Sequence, residues 1–292
     1  MNNSTKYKLI DLFCGCGGLT KGFWDTGRFD IVLANDNDQS AIKSYWLNFD
    51  PSAEHADCRD IIDLVERNRQ MIPEADIVIG GPPCQGFSLL NRNRVGDKRR
   101  ELWQYYIEVV RVSNASVVVM ENVPQLMDSP EFSLIIIALR KLGFKNIMGH
   151  VLNAANFGVP EIRKRTILIA AKDKVVALPI PSHLAKDKIA EIKQFPGYSP
   201  EPWLTVRDAI GDLPMPRGTE IRKEKAPLNL HFGRMPTDIS LERYRAVSGR
   251  QSFRSIAKSP GHHSAMLDKK EARRNRFVWS VVVGSAICYN PD

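Results

Sequence analysis

Asp11-Leu-Phe-Cys-Gly-Cys-Gly-Gly18 follows a short β-rich apolar run and opens an amphipathic one, an order that reads as strand, tight turn, helix. Gly15, Gly17 and Gly18 let the backbone turn sharply and approach a ligand at a helix N-terminus, as nucleotide-binding α/β domains do. The full G-x-G-x-x-G pattern is absent, so the loop taken alone serves equally as a plain tight turn. Ala34-Asn-Asp-Asn-Asp38 adds a second feature. An acidic residue at the end of the second strand, roughly 20 residues after such glycines, is placed to accept hydrogen bonds from ribose hydroxyls. Asp36 is assigned that place, and Asp38 is better placed to cap the helix that starts near Gln39.

Outward from this loop, short apolar runs alternate with longer amphipathic stretches up to about residue 171. Strands are expected at 8–13, 31–35, 77–80, 117–121 and 166–171, and helices at 19–26, 39–48, 101–112 and 131–142. Gly143 suits a left-handed cap for the last helix. The fold class is therefore α/β, a doubly wound, mostly parallel sheet. From about Val175 the periodicity fades and prolines multiply among basic clusters. Residues 1–174 are taken as one domain and residues 175–292 as a second, smaller one.

Composition agrees with a globular protein: 292 residues, 43% hydrophobic, 25% charged and 8% aromatic. No apolar run approaches the ~20 residues that span a bilayer, and the first residues lack a signal-peptide core, so no membrane role and a cytoplasmic location are expected. Five scattered cysteines without paired spacing predict neither a disulfide framework nor a metal site. The net charge of +8 lies wholly in residues 171–292, with 21 Lys+Arg against 13 Asp+Glu, whereas residues 1–170 carry 20 of each. That asymmetry favours a polyanionic partner, although many basic surfaces are only solvated faces.

Three further segments carry chemistry. Gly80-Gly-Pro-Pro-Cys-Gln-Gly-Phe-Ser88 ends an apolar strand and delivers the Cys84 thiol on a stiff loop to the carboxyl edge of the sheet, the place for a nucleophile. Val117-Val-Val-Met-Glu-Asn-Val123 runs a buried-looking strand straight into Glu121-Asn122, where partial desolvation can hold a proton near neutral pH. In Gly158-Val-Pro-Glu-Ile-Arg-Lys-Arg165, Arg163 and Arg165 alternate into a strand and point the same way, towards an anion or carbonyl above the sheet; a surface ion pair is the plainer alternative.

Together these segments resemble the DNA cytosine-C5 methyltransferase family, whose motifs they match in order: Asp11–Gly18, Pro82-Pro83-Cys84-Gln85, Glu121-Asn122-Val123 and Arg163-Lys164-Arg165. Asp36, Asp57-Cys-Arg-Asp60 and residues 153–160 are weaker correspondences, and Glu161 departs from the family's usual glutamine. The resemblance covers roughly residues 7–171 and implies a Rossmann-like, S-adenosylmethionine-dependent methyltransferase fold with S-adenosyl-L-methionine as methyl donor. It implies Phe13, Gly15, Gly17, Gly18, Asp36, Asp60 and Pro83 as cofactor-binding residues. Cys84 would add to cytosine C6, Glu121 would act at N3 and the exocyclic amine, and Asn122 would fix the loop. Arg165 would stabilise O2 or a phosphate, with Arg163 supporting the loop. The base must leave the duplex to be reached. Gln85, Ser88, Arg92, Arg94, Lys98, Arg99 and Arg100 would contact double-stranded DNA as the loop closes, or form a solvated basic loop.

In such enzymes a basic recognition region follows the arginines and two closing motifs return to complete the catalytic domain. Here residues 231–237 and 240–244 look like parts of a recognition region, while the closing motifs do not appear and Gly284-Ser285 offers only a faint likeness to the last. The expectation is a smaller, incomplete basic recognition domain, truncated or altered after about Arg250. The favoured reading is a restriction-modification DNA methyltransferase with a separate cognate endonuclease. An RNA cytosine methyltransferase, an inactive nucleic-acid-binding remnant, and half of a split enzyme completed by another chain stay open.

Overall fold

The computed structural model describes residues 6–83, 101–192 and 197–213. Those through Ala209 belong to one compact unit. Its main sheet contains β1 (Tyr7–Leu12), β2 (Phe29–Asn35), β3 (Ala56–Asp57), β4 (Ile77–Gly80), β5 (Val117–Asn122), β6 (Asn146–Asn153) and β7 (Lys164–Ala171). The order is β3-β2-β1-β4-β5-β7-β6. Strands β3 to β5 run parallel, and β7 is antiparallel to both β5 and β6. The winding reverses between β1 and β4, so the loops leaving these two neighbours diverge and open a crevice at their carboxyl ends. The glycine loop follows β1 and Gly81-Pro82-Pro83 follows β4, so both motifs meet at the switch point.

Alternation of side chains builds two cores from one sheet. Ile10, Leu12, Val78, Val118, Met120 and Leu168 face a layer of three helices: α3 (Ile61–Arg67), α4 (Leu102–Val112) and α5 (Pro130–Lys141). Leu9, Ile77, Ile79, Val119, Ile167 and Ile169 form the opposite cluster with α1 (Gly18–Trp24) and α2 (Gln39–Phe49). Tyr106 of α4 sends its hydroxyl under the sheet, 3.0 Å from the Val78 carbonyl and 3.1 Å from that of Val119, with no exposure to solvent. The helix ends obey local chemistry. Asp38 caps α2 by accepting from the Ser40 and Ala41 amides, Ser129 caps α5, and Gly143 takes φ 90° just beyond α5.

The expected sheet and helices are present, with ends moved by one or two residues. Within the main sheet and its helix layers, three elements escaped the sequence reading: α3, barely two turns long; the two-residue β3; and β6. Strand β6 lies at the sheet edge and mixes Asn146, Gly149 and His150 with its apolar residues, so it lacks the continuous apolar run that marks β4, β5 and β7. Its antiparallel pairing with β7 over eight residue pairs also closes the sheet differently from a wholly parallel one. After β7 the chain continues into β8 (His183–Leu184), α6 (Lys186–Ile192), β9 (Glu201–Pro202) and α7 (Val206–Ile210), with β8 and β9 pairing in parallel. No described helix is long and apolar enough to cross a membrane.

Candidate active site at the switch point

Phe13 leaves β1 with φ 56°, unusual for a bulky residue, and Gly15 and Gly17 follow at φ 56° and 89°. Gly17 is required twice, because a Cβ there would also come 2.2 Å from the Phe49 ring. Gly15 has nothing among the described residues within 4 Å of where its Cβ would lie. Asp36 ties this loop to the next: its Oδ2 accepts from the Gly15 amide at 2.9 Å and its Oδ1 from the Asp38 amide at 2.9 Å. Each carboxylate oxygen keeps a second lone pair, so accepting from ribose hydroxyls remains open. Asp38 is the helix cap, which frees Asp36 for a ligand.

Asp57–Asp60 lies against the same edge. The Asp36 amide donates to the Asp57 carbonyl at 3.2 Å. Buried Asn35 donates through Nδ2 to the Arg59 carbonyl at 3.0 Å and lies 3.4 Å from both the carbonyl and Oδ2 of Asp57. Asp60 caps α3 by accepting from the Ile62 amide at 2.8 Å. Beneath the glycines, Thr20 donates to Asp11 Oδ2 at 2.5 Å, so the Tyr45 hydroxyl, 3.0 Å away, must donate to Thr20. Asp11 Oδ1 is buried and has no hydrogen-bond partner among the described residues. Burial pushes the Asp11 carboxyl up to about 7, against the Thr20 hydrogen bond and with help from Asp36.

Across the switch point, Gly80 meets β1 so closely that a Cβ would lie 2.3 Å from the Leu12 carbonyl oxygen. Glu121 Oε2 approaches Gly81 to within 2.9 Å of where its Cβ would stand, so the carboxyl rests on the loop leading towards Cys84. Its Oε1 pairs with Arg165 Nε at 2.8 Å, and Arg163 also acts on it electrostatically. Both arginines therefore serve one carboxyl, although β7 begins only at Lys164. Burial is the larger influence and raises the Glu121 pKa despite both guanidiniums. Asn122 is buried and donates to the Pro82 carbonyl at 3.0 Å.

Sequence reasoning missed several supports. Thr166, fully buried at the start of an apolar strand, donates to the Val123 carbonyl at 3.1 Å and anchors the turn after Glu121. Asn153 accepts from the Arg163 amide at 3.1 Å. Thr166 is the one polar residue within the expected strand 166–171, and that was the available signal. Cys84, Gln85, Ser88, Arg92, Arg94, Lys98, Arg99 and Arg100 lie outside the described residues, as do residues 231–244 and Gly284-Ser285. No group of metal-ligating side chains occurs among the described residues.

With this geometry, a family model matches residues 7–264, that of the C-5 cytosine-specific DNA methylases. The chain belongs to that family. The Type II methyltransferase M.AgeI of Thalassovita gelatinovora is 29% identical over 286 residues, 91% of this chain and 66% of that protein. M.XorII of Xanthomonas oryzae pv. oryzae is 36% identical over 216 residues, 70% of this chain and 46% of that one. The chain thus spans less than two thirds of either relative. M.AquIA of Picosynechococcus sp. is 35% identical over 223 residues, 71% of this chain and 89% of its own length. A solved DNA modification methyltransferase encoded within an E. coli prophage superposes with TM-score 0.52 at 28% identity, covering 72% of this chain and 56% of that one.

The Asp36 assignment has a direct test. Asp36→Ala should weaken S-adenosylmethionine binding about ten- to a hundredfold by calorimetry, the worth of one charge-assisted hydrogen bond, and leave DNA affinity unchanged. Unaltered cofactor affinity would leave Asp36 only its role in the turn.

Proposed function

We propose that this chain transfers a methyl group from S-adenosylmethionine to C5 of cytosine in double-stranded DNA, as the modification enzyme of a restriction-modification system acting in the cytoplasm beside a separate endonuclease. The observation that carries this reading is the Glu121 carboxyl, paired with Arg165 and resting against the loop that leads to Cys84. An acid held in that way suits an electron-poor ring that must be protonated as a thiolate adds to it.

The glycine loop fits the cofactor: no described residue crowds Gly15, and Asp11 Oδ1, without a partner among the described residues, lies buried beneath the loop. Gly15, Gly17 and Gly18 would admit it, Asp36 would take the ribose, and Phe13, Asp60 and Pro83 would border the adenine and methyl-donor ends. When bound, it supplies an electrophilic methyl group. The chain's own residues do the rest. The Cys84 thiolate adds to C6 of the flipped base, and Glu121 delivers a proton at N3, so electron density collects at C5. Arg165 and Arg163 hold the Glu121 carboxyl in place, and Arg165 donates to O2 or a phosphate. Asn122 keeps Pro82, and with it the nucleophile loop, in register. Once C5 carries the methyl group, its proton leaves to water, the C6–sulfur bond breaks with its electron pair returning to the Cys84 thiolate, and N3 gives its proton back to Glu121, leaving neutral 5-methylcytosine.

Residues 1–174 carry the chemistry in this reading. Residues 175–292, with the excess positive charge, and the basic stretch from Gln85 to Arg100 grip DNA. The test is product identity. Incubation with S-adenosylmethionine labelled in its methyl group and plasmid DNA should put the label into 5-methyldeoxycytidine after nucleoside digestion. Label in adenine, or preferential labelling of structured RNA over duplex DNA, would contradict the reading.

A further inference from the structure

We infer that Trp203 and His183, in the segment after β7, are positioning residues that brace the loop carrying Arg163. The inference rests on the proposed function for its catalytic consequence and on geometry alone for the brace. Residues 153–163 form a loop closed at its neck by two bonds: the Ala154 amide donates to the Arg163 carbonyl at 2.9 Å, and the Arg163 amide to Asn153 Oδ1 at 3.1 Å. The far side of the loop is held from outside. Trp203 Nε1 donates to Asn156 Oδ1 at 2.9 Å. The His183 ring lies against Gly158, at φ 82°, so closely that a Cβ would stand 3.0 Å from its Cε1.

The bracing side chains are themselves fixed. His183 and Glu201 are paired in the β8–β9 ladder, and the Trp203 amide donates to the Leu184 carbonyl at 2.9 Å. Tyr198 closes the same turn by donating to the Pro181 carbonyl at 2.5 Å. An indole N–H that is only partly exposed needs an acceptor, and the one it finds lies 47 residues back, on the loop that ends in the arginines. The neck alone fixes the backbone at Arg163. The arc is packed through buried Ala155 and Val159, and the brace adds a hold from outside at Asn156 and Gly158, and with it a hold on the aim of the guanidinium towards Glu121.

The test uses the full chain with Trp203→Phe, which keeps the aromatic bulk and removes the donor, Asn156→Leu, which removes the acceptor, and the double variant. Each single variant should speed hydrogen exchange at the arc amides of Val159 and Glu161, which donate to the Ala154 and Val159 carbonyls, about five- to tenfold, the worth of one net hydrogen bond, with protection of the neck amides and of β1 and β2 unchanged. Each should lower kcat by a similar factor at constant KM for DNA. The double variant should be no worse than either single one, because both remove the same bond. Unchanged exchange at the arc amides, additive losses, or raised exchange with unaltered kcat would overturn the brace. Absence of methyl transfer by the unaltered chain would sink the proposed function instead, and exchange alone would then decide the brace.

Discussion

Cys84→Ala should abolish methyl transfer, lowering the rate by about 10⁴-fold or more, as removal of a covalent nucleophile does, while DNA affinity stays within about threefold of the unaltered chain. The surroundings of the buried thiol at this edge set it apart from Cys84. Cys14 sits on the glycine loop, but it is buried, and burial together with the Asp11 and Asp36 carboxylates pushes its thiol well above the ordinary range. Such a thiol supplies almost no thiolate at neutral pH. Cys84 instead follows Pro82, whose carbonyl Asn122 holds, and Gly81, on which the Glu121 carboxyl rests. Single-turnover methylation of a labelled duplex measures the loss. Transfer surviving in Cys84→Ala would end the covalent mechanism.

Glu121→Gln should lower kcat by about 10²- to 10³-fold, the usual contribution of a positioned acid, with much less effect on DNA affinity, because its proton is needed only as the ring is attacked. The pH profile carries the sign. Burial raises the Glu121 pKa above the ordinary glutamic range, although Arg165 and Arg163 pull against it. Its protonated, donating form therefore persists to higher pH than that of an exposed glutamate and is lost as pH rises through the folded pKa. In the unaltered chain kcat should fall on that alkaline side, and in Glu121→Gln that limb should vanish. Arg165→Gln removes a charge that favours the carboxylate, so its limb should move to higher pH while kcat falls. Equal losses of kcat and DNA affinity in Glu121→Gln would make Glu121 a binding residue.

The candidate groups were legible in the sequence because each stands near the end of an expected strand. Cys84, Glu121 and Asp36 interrupt apolar runs with residues that a strand has no use for, and the sheet order then sets the carboxyl ends of β2, β1, β4 and β5 side by side. The supports were not legible. Asn122 reaches Pro82 across 40 residues, Asn35 reaches Arg59 across 24, and Trp203 reaches Asn156 across 47. Each is an ordinary polar or aromatic residue until its partner is known, and no local period encodes that partner. The same holds for the fold. Strands β4 and β5, buried on both faces, announce themselves as unbroken apolar runs, whereas edge strand β6 needs its pairing with β7 to be seen at all.

Fluorine at C5 cannot leave as a cation, so DNA carrying 5-fluorocytosine arrests the reaction after methyl transfer with the C6–sulfur bond intact. Incubated with such DNA and S-adenosylmethionine, the unaltered chain should form a denaturation-resistant complex, and peptide mapping should place the linkage on Cys84. The complex should need the methyl donor and should be absent from Cys84→Ala. Methylation of ordinary cytosine without any trapped complex, or trapping through another cysteine, would contradict the account.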